Sequence, residues 1–194
     1  MLGTVTRDEL IVAGWVPVRE IPTPKLLGQT LPARMLTISS CLQDDDVPRP
    51  EPWLGPWFQD PDDAKQAAAG TAGQLPTIVT VAMQPHDAEE LMAQFDAEHS
   101  PWFNLLRQRR LVTPEARILG YEVVGAEEYL HFHSWHCHGY ADEVHTALGV
   151  RTNSKSLILN YAAAQSVLRW MLTRPSMEAP KPVPWTVVAL AAEE

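Results

Sequence analysis

Ten consecutive residues, LHFHSWHCHG from Leu130 to Gly139, hold four of the seven histidines of this 194-residue chain and one of its two cysteines. Imidazole and thiolate are common zinc ligands, at about 2.0–2.3 Å, and a site needs three or four of them, oriented by further hydrogen bonds. Along a strand alternate side chains share a face, so His131 and His133 fall together and Leu130 and Phe132 oppose them. Two imidazoles so spaced can grip one zinc ion, with His136, Cys137, His138 or His145 as further ligands. An unbroken strand turns His136 and His138 away from that pair. Only a bend near Ser134 and Trp135 brings His131, His133, His136 and His138 to one point.

A catalytic thiol can be built from the same stretch. Cys137 lies between His136 and His138, and a charged imidazole beside it would favour the thiolate, the nucleophilic form. Sequence neighbours seldom present their side chains to one another, so His145 is the better base, with Asp142 or Glu122 to orient it. The plainest alternative is packing: His133, Trp135 and Cys137 on one face of a strand end, the other histidines hydrogen-bonded or solvated.

Three families share a histidine pair of this kind. HFHSWH resembles the HxHxDH signature of metallo-β-lactamase-like hydrolases, but Trp135 stands where the aspartate belongs. GAEEYLHFH is similar to the opening of a cupin motif, yet Cys137 or His138 replaces the expected glutamate and no second motif follows. An amidohydrolase HxH pair opens a barrel larger than 194 residues allow.

The surrounding chain must position this stretch. ELIVAGWVPVRE and ARMLTISSCL predict two strands joined by the irregular IPTPKLLGQTLP. DDDVPRPEPWLGPW has too many prolines for a helix or central strand, and residues 43–60 are expected to form a surface loop anchored by tryptophan. DPDDAKQAAAG reads as a short helix stopped by Gly70, TIVTVAM as a buried strand, and PHDAEELMAQFDAEH and SPWFNLLRQRR as helices. ARILGYEVVGAE and YLHFHSWH predict a hairpin, and DEVHTALG a helix ended by Gly149. NYAAAQSVLRWML has the clearest helical period, with Asn160 as its cap. The proline-rich residues 175–184 then cross to a last strand, WTVVALA. These elements lack a regular βαβ rhythm and a glycine-rich phosphate loop, which predicts one α+β domain over 1–194: a mixed or largely antiparallel sheet with three to five helices packed on it.

Charge is unevenly placed. Of the 24 acidic residues, 12 lie between Asp44 and Glu98 against only Arg49 and Lys65, while the rest of the chain is nearly neutral. Such a block repels phosphates, so neither nucleic acid nor an anionic membrane is expected as a partner; a basic protein is attracted. No run reaches the roughly 18–20 apolar residues of a membrane span, and the first residues lack a signal-peptide pattern. A cytoplasmic protein with reduced thiols at Cys41 and Cys137 is the expectation.

The succession ILGYEVVG, FHSWHC, LGVRTN, LILNYAAAQSVLRW and VPW, over about residues 117–186, resembles uncharacterised actinobacterial proteins of the immunity-protein type from toxin systems. The resemblance implies a non-enzymatic inhibitor that occupies the active surface of a basic toxin. Docking residues are then expected in the acidic segments: Asp44, Asp45, Asp46, Asp60, Asp62, Asp63, Glu89 and Glu90, with Trp53 and Trp57 as anchors. A metal-dependent enzyme or zinc-binding module on the His131/His133 cluster is the alternative, and a thiol hydrolase using Cys137 and His145 the third.

Overall fold

The computed structural model describes residues 9–43, 45–50, 55–71, 73–95, 100–127, 131–175 and 179–192. Its strands are Ile11–Val18 (β1), Ile21–Pro22 (β2), Arg34–Met35 (β3), Thr77–Met83 (β4), Arg117–Glu127 (β5), His131–Ser134 (β6) and Trp185–Ala192 (β7). Its helices are Pro61–Ala69 (α1), Pro85–Ala93 (α2), Asn104–Gln108 (α3), Ala141–Leu148 (α4) and Tyr161–Leu172 (α5). Five strands form one sheet in the order β1-β4-β7-β5-β6, every neighbour antiparallel, and β2 pairs with β3 in a separate ribbon. The fold is therefore α+β, and strands from near both ends of the chain share one sheet.

Alternation along the strands divides the core into two layers. Val79, Val81 and Met83 of β4, Val188 and Leu190 of β7 and Phe132 of β6 share one cluster with Ala88 and Leu91 of α2. On the opposite face Val123, Trp185 and Val187 meet Ala164, Val167 and Met171 of α5, and Val12, Ala82 and Ala189 meet Ala64 of α1. With both faces covered, β7 is an apolar run whose first seven residues are buried. Each larger side chain so buried contributes roughly 1.5–3 kcal/mol. The helix starts follow their capping residues: Asp60 accepts the Asp62 N–H, and Asn160 accepts the Ala163 N–H.

Both sheet edges are covered. Trp15 of β1 exchanges backbone hydrogen bonds with Phe58 at 3.0 and 2.8 Å, and Val12 donates to the Arg110 carbonyl. As an edge strand β1 tolerates Pro17, which has no N–H to offer. At the other edge Ser40 donates its backbone N–H to the Phe132 carbonyl of β6.

Two expected strands are shorter than their composition implies. Over residues 33–42 only Arg34 and Met35 pair in a ribbon, because Thr37 and Ser39 send their side chains inward to Glu122 and the Phe132 carbonyl. The hairpin partner of β5 ends at Ser134, whose hydroxyl accepts the His136 N–H and caps a 3-10 turn over Trp135–His138. Gly139, at φ 69°, supplies the left-handed residue that closes this turn. Among the described residues no helix is long and apolar enough to cross a membrane.

Candidate functional site

The bend at Ser134 and Trp135 is present, and it disperses the histidines. His133, on β6, is bracketed by Cys41 and Glu127. His136 is fully buried, its ring against Trp135 at 4.2 Å between centroids and its Nε2 donating to the Ser156 carbonyl at 3.0 Å. Burial pushes its pKa down to about 4, so the ring is neutral near pH 7. His138 stacks on Tyr140 and meets Trp185 edge-on, and burial lowers its pKa too. The side chain of His131 lies outside the described residues. Among those described, no three His, Cys, Asp or Glu residues are grouped to hold a metal ion.

Cys137 and His145 are not brought together. The Cys137 sulfur is 3.2 Å from the Ser39 hydroxyl, and burial pushes its thiol pKa up, away from the reactive form. His145, on α4, turns its Nδ1 to the Val150 carbonyl at 3.3 Å. Asp142 accepts the backbone N–H groups of Gln29 and Thr30 at 2.9 and 2.8 Å. Those bonds hold its carboxyl below the usual range and tie the 28–30 loop to α4.

The cysteine that meets a histidine is Cys41. It is exposed in the turn following the 36–40 segment, and its sulfur lies 3.3 Å from His133 Nδ1. His133 Nε2 is 2.9 Å from Glu127 Oε2, and Lys181 Nζ is 2.5 Å from the same oxygen. Lys181, then His133, pull the Glu127 pKa down to about 2. Glu127 is thus an ionised acceptor at neutral pH, and in the tautomer that donates to it through Nε2 the His133 ring offers Nδ1 to accept the Cys41 proton; Lys181 Nζ also lies 3.3 Å from Nε2.

The turn carrying Cys41 is firmly held. The Ser39 and Ser40 hydroxyls both donate to the Phe132 carbonyl, at 3.1 and 3.2 Å. Beneath them Glu122, 1% exposed, accepts the Thr37 hydroxyl and the Ile38 N–H, and the Ser134 hydroxyl also hydrogen-bonds to it. Desolvation raises the Glu122 pKa and these bonds oppose that shift. The spacing of Thr37 and Ser39 within an apolar stretch was the sequence signal that this segment has a buried polar partner.

The acidic residues are distributed around β1. Asp46 pairs with Arg19 at 2.8 Å, Asp60 caps α1, and Asp62, with its side chain 86% exposed, pairs with Lys65. Asp45 and Asp63 are exposed. On the opposite face of the sheet, Glu89 of α2 pairs with Arg109 and Glu90 with His86. Trp57 cannot serve as an exposed anchor: it is 1% exposed, stacked on Phe132 at 5.5 Å, with its indole N–H donated to the Trp102 carbonyl. Four prolines and two tryptophans marked this loop as a surface element, but the sheet face takes Trp57 inward. Asp44 and Trp53 lie outside the described residues.

A cleft of about 340 Å³ opens beside the 3-10 turn, between Thr30, Leu31, Trp135, His145 and Arg151. It does not include Cys41. No protein-family model matches this chain, and neither a curated protein nor a solved structure matches it at a significant level.

Proposed function

We propose that this chain works by binding a basic protein partner, such as a toxin, and neutralising it through its acidic surface, in the manner of an immunity protein. The observation that supports this reading is the excess of exposed acid over base at the start of α1. Asp60, Asp62 and Asp63 are exposed there, with Lys65 paired to Asp62 at 3.0 Å. A concentrated negative field speeds capture of a positive partner and rejects nucleic acid. Glu89 and Glu90 are secondary in this reading, since Arg109 and His86 already pair with them. The protein acts in the cytoplasm in this reading, and no metal is required for the docking.

The test is titration calorimetry between the chain and the product of its neighbouring gene, in low and in high salt. Binding that weakens with salt and falls at least about tenfold in Asp62→Lys/Asp63→Lys supports the reading. Asp60 is spared because it caps α1, and a thermal melt checks that the double variant stays folded. Absence of binding at both salt concentrations overturns the proposal, as does binding that is indifferent to the double charge reversal.

A further inference from the structure

Cys41 belongs to a row of side chains that the docking role does not use. Its sulfur, the two ring nitrogens of His133 and the Glu127 carboxylate follow one another at 3.3 and 2.9 Å. Nucleophile, base and orienting carboxylate in hydrogen-bond sequence are the arrangement that activates a thiol. The three come from separate elements: a turn, β6 and the end of β5. Gly125 is the register partner of His133, so Glu127 two residues on is a diagonal neighbour across the hairpin. Three hydrogen bonds from Ser39 and Ser40 onto the single Phe132 carbonyl fix the turn against β6, and Phe132 itself is locked under Trp57. The row is thus preorganised by packing at its fixed end and open to solvent at its sulfur.

We propose that Cys41 is a base-assisted nucleophilic thiol that accepts low-molecular-weight disulfides, with His133 as the proton acceptor and Glu127 as its positioning residue. The surface position selects this chemistry over acyl transfer. The sulfur is exposed at a sheet edge, and the cleft beside the 3-10 turn is lined by other residues. An attacking sulfur needs only a linear approach to a disulfide, not a cavity that stabilises an oxyanion.

In the step, the Cys41 proton passes to His133 Nδ1 and the thiolate attacks one sulfur of R–S–S–R. A Cys41–S–S–R bond forms as the original S–S bond breaks. The departing RS⁻ takes the proton from His133 and leaves as RSH. Cys41 is oxidised and the departing sulfur reduced, so no further oxidant enters. Glu127, 2.9 Å from Nε2 through the oxygen it shares with Lys181, stabilises the imidazolium while it exists. Cys137 takes no part: its thiol is turned inward to Ser39.

The experiment exposes the intact 194-residue chain to glutathione disulfide and follows the mixed disulfide by intact mass and peptide mapping, at neutral and at alkaline pH. The expected adduct is single, on Cys41, reversed by a reducing agent and retained in Cys137→Ser. His133→Gln is expected to slow its formation at neutral pH about tenfold or more, while changing the alkaline rate less than about twofold, because hydroxide then ionises the thiol without a base. A variant that merely loosened the turn would change both rates. Glu127→Gln should fall between the two. Equal neutral rates in the parent and in His133→Gln overturn the proposal, and so does an adduct formed first on Cys137. Neither outcome depends on whether a protein partner binds at α1.

Discussion

Cys41 Sγ and His133 Nδ1 lie 3.3 Å apart across 92 residues of chain, joined because the segment 39–41 runs along the free edge of β6. The sheet edge that would otherwise be open to another strand is thereby occupied, and a side-chain row is built on it. The same contact favours the Nε2–H tautomer of His133, because Glu127 accepts on the other side of the ring, where Lys181 Nζ also approaches at 3.3 Å.

That tautomer can be observed directly. In the parent protein at neutral pH the His133 ring is expected to carry its proton on Nε2, read from the long-range couplings of nitrogen-15 imidazole spectra. Glu127→Gln removes the ionised acceptor, and a mixture of both tautomers is the expected result. An unchanged Nε2–H form would show that Cys41 alone sets the ring.

The Glu122 network makes a prediction about stability. Glu122→Ala strands the Thr37 hydroxyl, the Ile38 N–H and the Ser134 hydroxyl in the buried interior and should cost about 2–4 kcal/mol in urea unfolding. Glu122→Gln can accept the Ile38 N–H through its one carbonyl oxygen and donate its amide to the Thr37 hydroxyl, so its cost should stay below about 1.5 kcal/mol. If the two variants lose equal stability, hydrogen-bond satisfaction is not what Glu122 supplies.

Two buried groups oppose each other as pH changes. Burial raises the Asp87 pKa from 3.8 to about 6, despite hydrogen bonds from Tyr161 and Gln165, so the folded chain holds this proton more tightly than the unfolded one. Its contribution to stability is present below about pH 4 and is lost as pH rises through about 6. His136 has the opposite sign: with its pKa lowered from 6.5 to about 4, its contribution is present above pH 6.5 and lost as pH falls through about 4. The two largely cancel in the parent. Asp87→Asn should therefore gain about 1–2 kcal/mol over the parent between about pH 4 and pH 6, allowing for solvent screening, with a plateau above. His136→Gln should resist acid better than the parent over about pH 6.5 to 4. Difference curves from denaturant midpoints at each pH separate the two, and a flat Asp87→Asn difference would refute the assignment.

Gly14 marks where the acidic loop docks on β1. A Cβ at this position would meet Trp57 Cδ1 and lie 2.6 Å from the Phe58 carbonyl oxygen, both parts of the segment that covers the β1 edge. Gly14→Ala should cost about 2–4 kcal/mol and expose Trp57, seen as a red shift of its fluorescence. A neutral substitution would mean that residues 57–58 can withdraw from the strand without cost.

Elements specified within a few residues were legible. The helix starting at Asn160 follows from a cap and a period of three to four, as α1 follows from Asp60 and the first-turn acids. The apolar runs of β1, β4 and β7 identify themselves, and β5 and β6 are close enough in sequence to be read as a hairpin. Boundaries were less legible where a side chain competes with the backbone. Ser134 ends β6 by capping the next turn, and Thr37 and Ser39 send their side chains inward instead of extending a ladder.

Thus the α+β class, the caps, the hairpin and the acidic block of residues 44–98 were settled by local composition and spacing, because those rules act over one turn or one strand. Which thiol meets which imidazole was settled by the sheet order. The histidine-rich segment drew attention to Cys137, its neighbour in the chain, but the bend after Ser134 buries His136 and turns Cys137 to Ser39. Cys41 reaches His133 only because β6 is an edge strand and the 39–41 segment supplies its missing neighbour. An edge hydrogen bond of that kind pairs residues by position in the sheet, and no spacing along the chain records it.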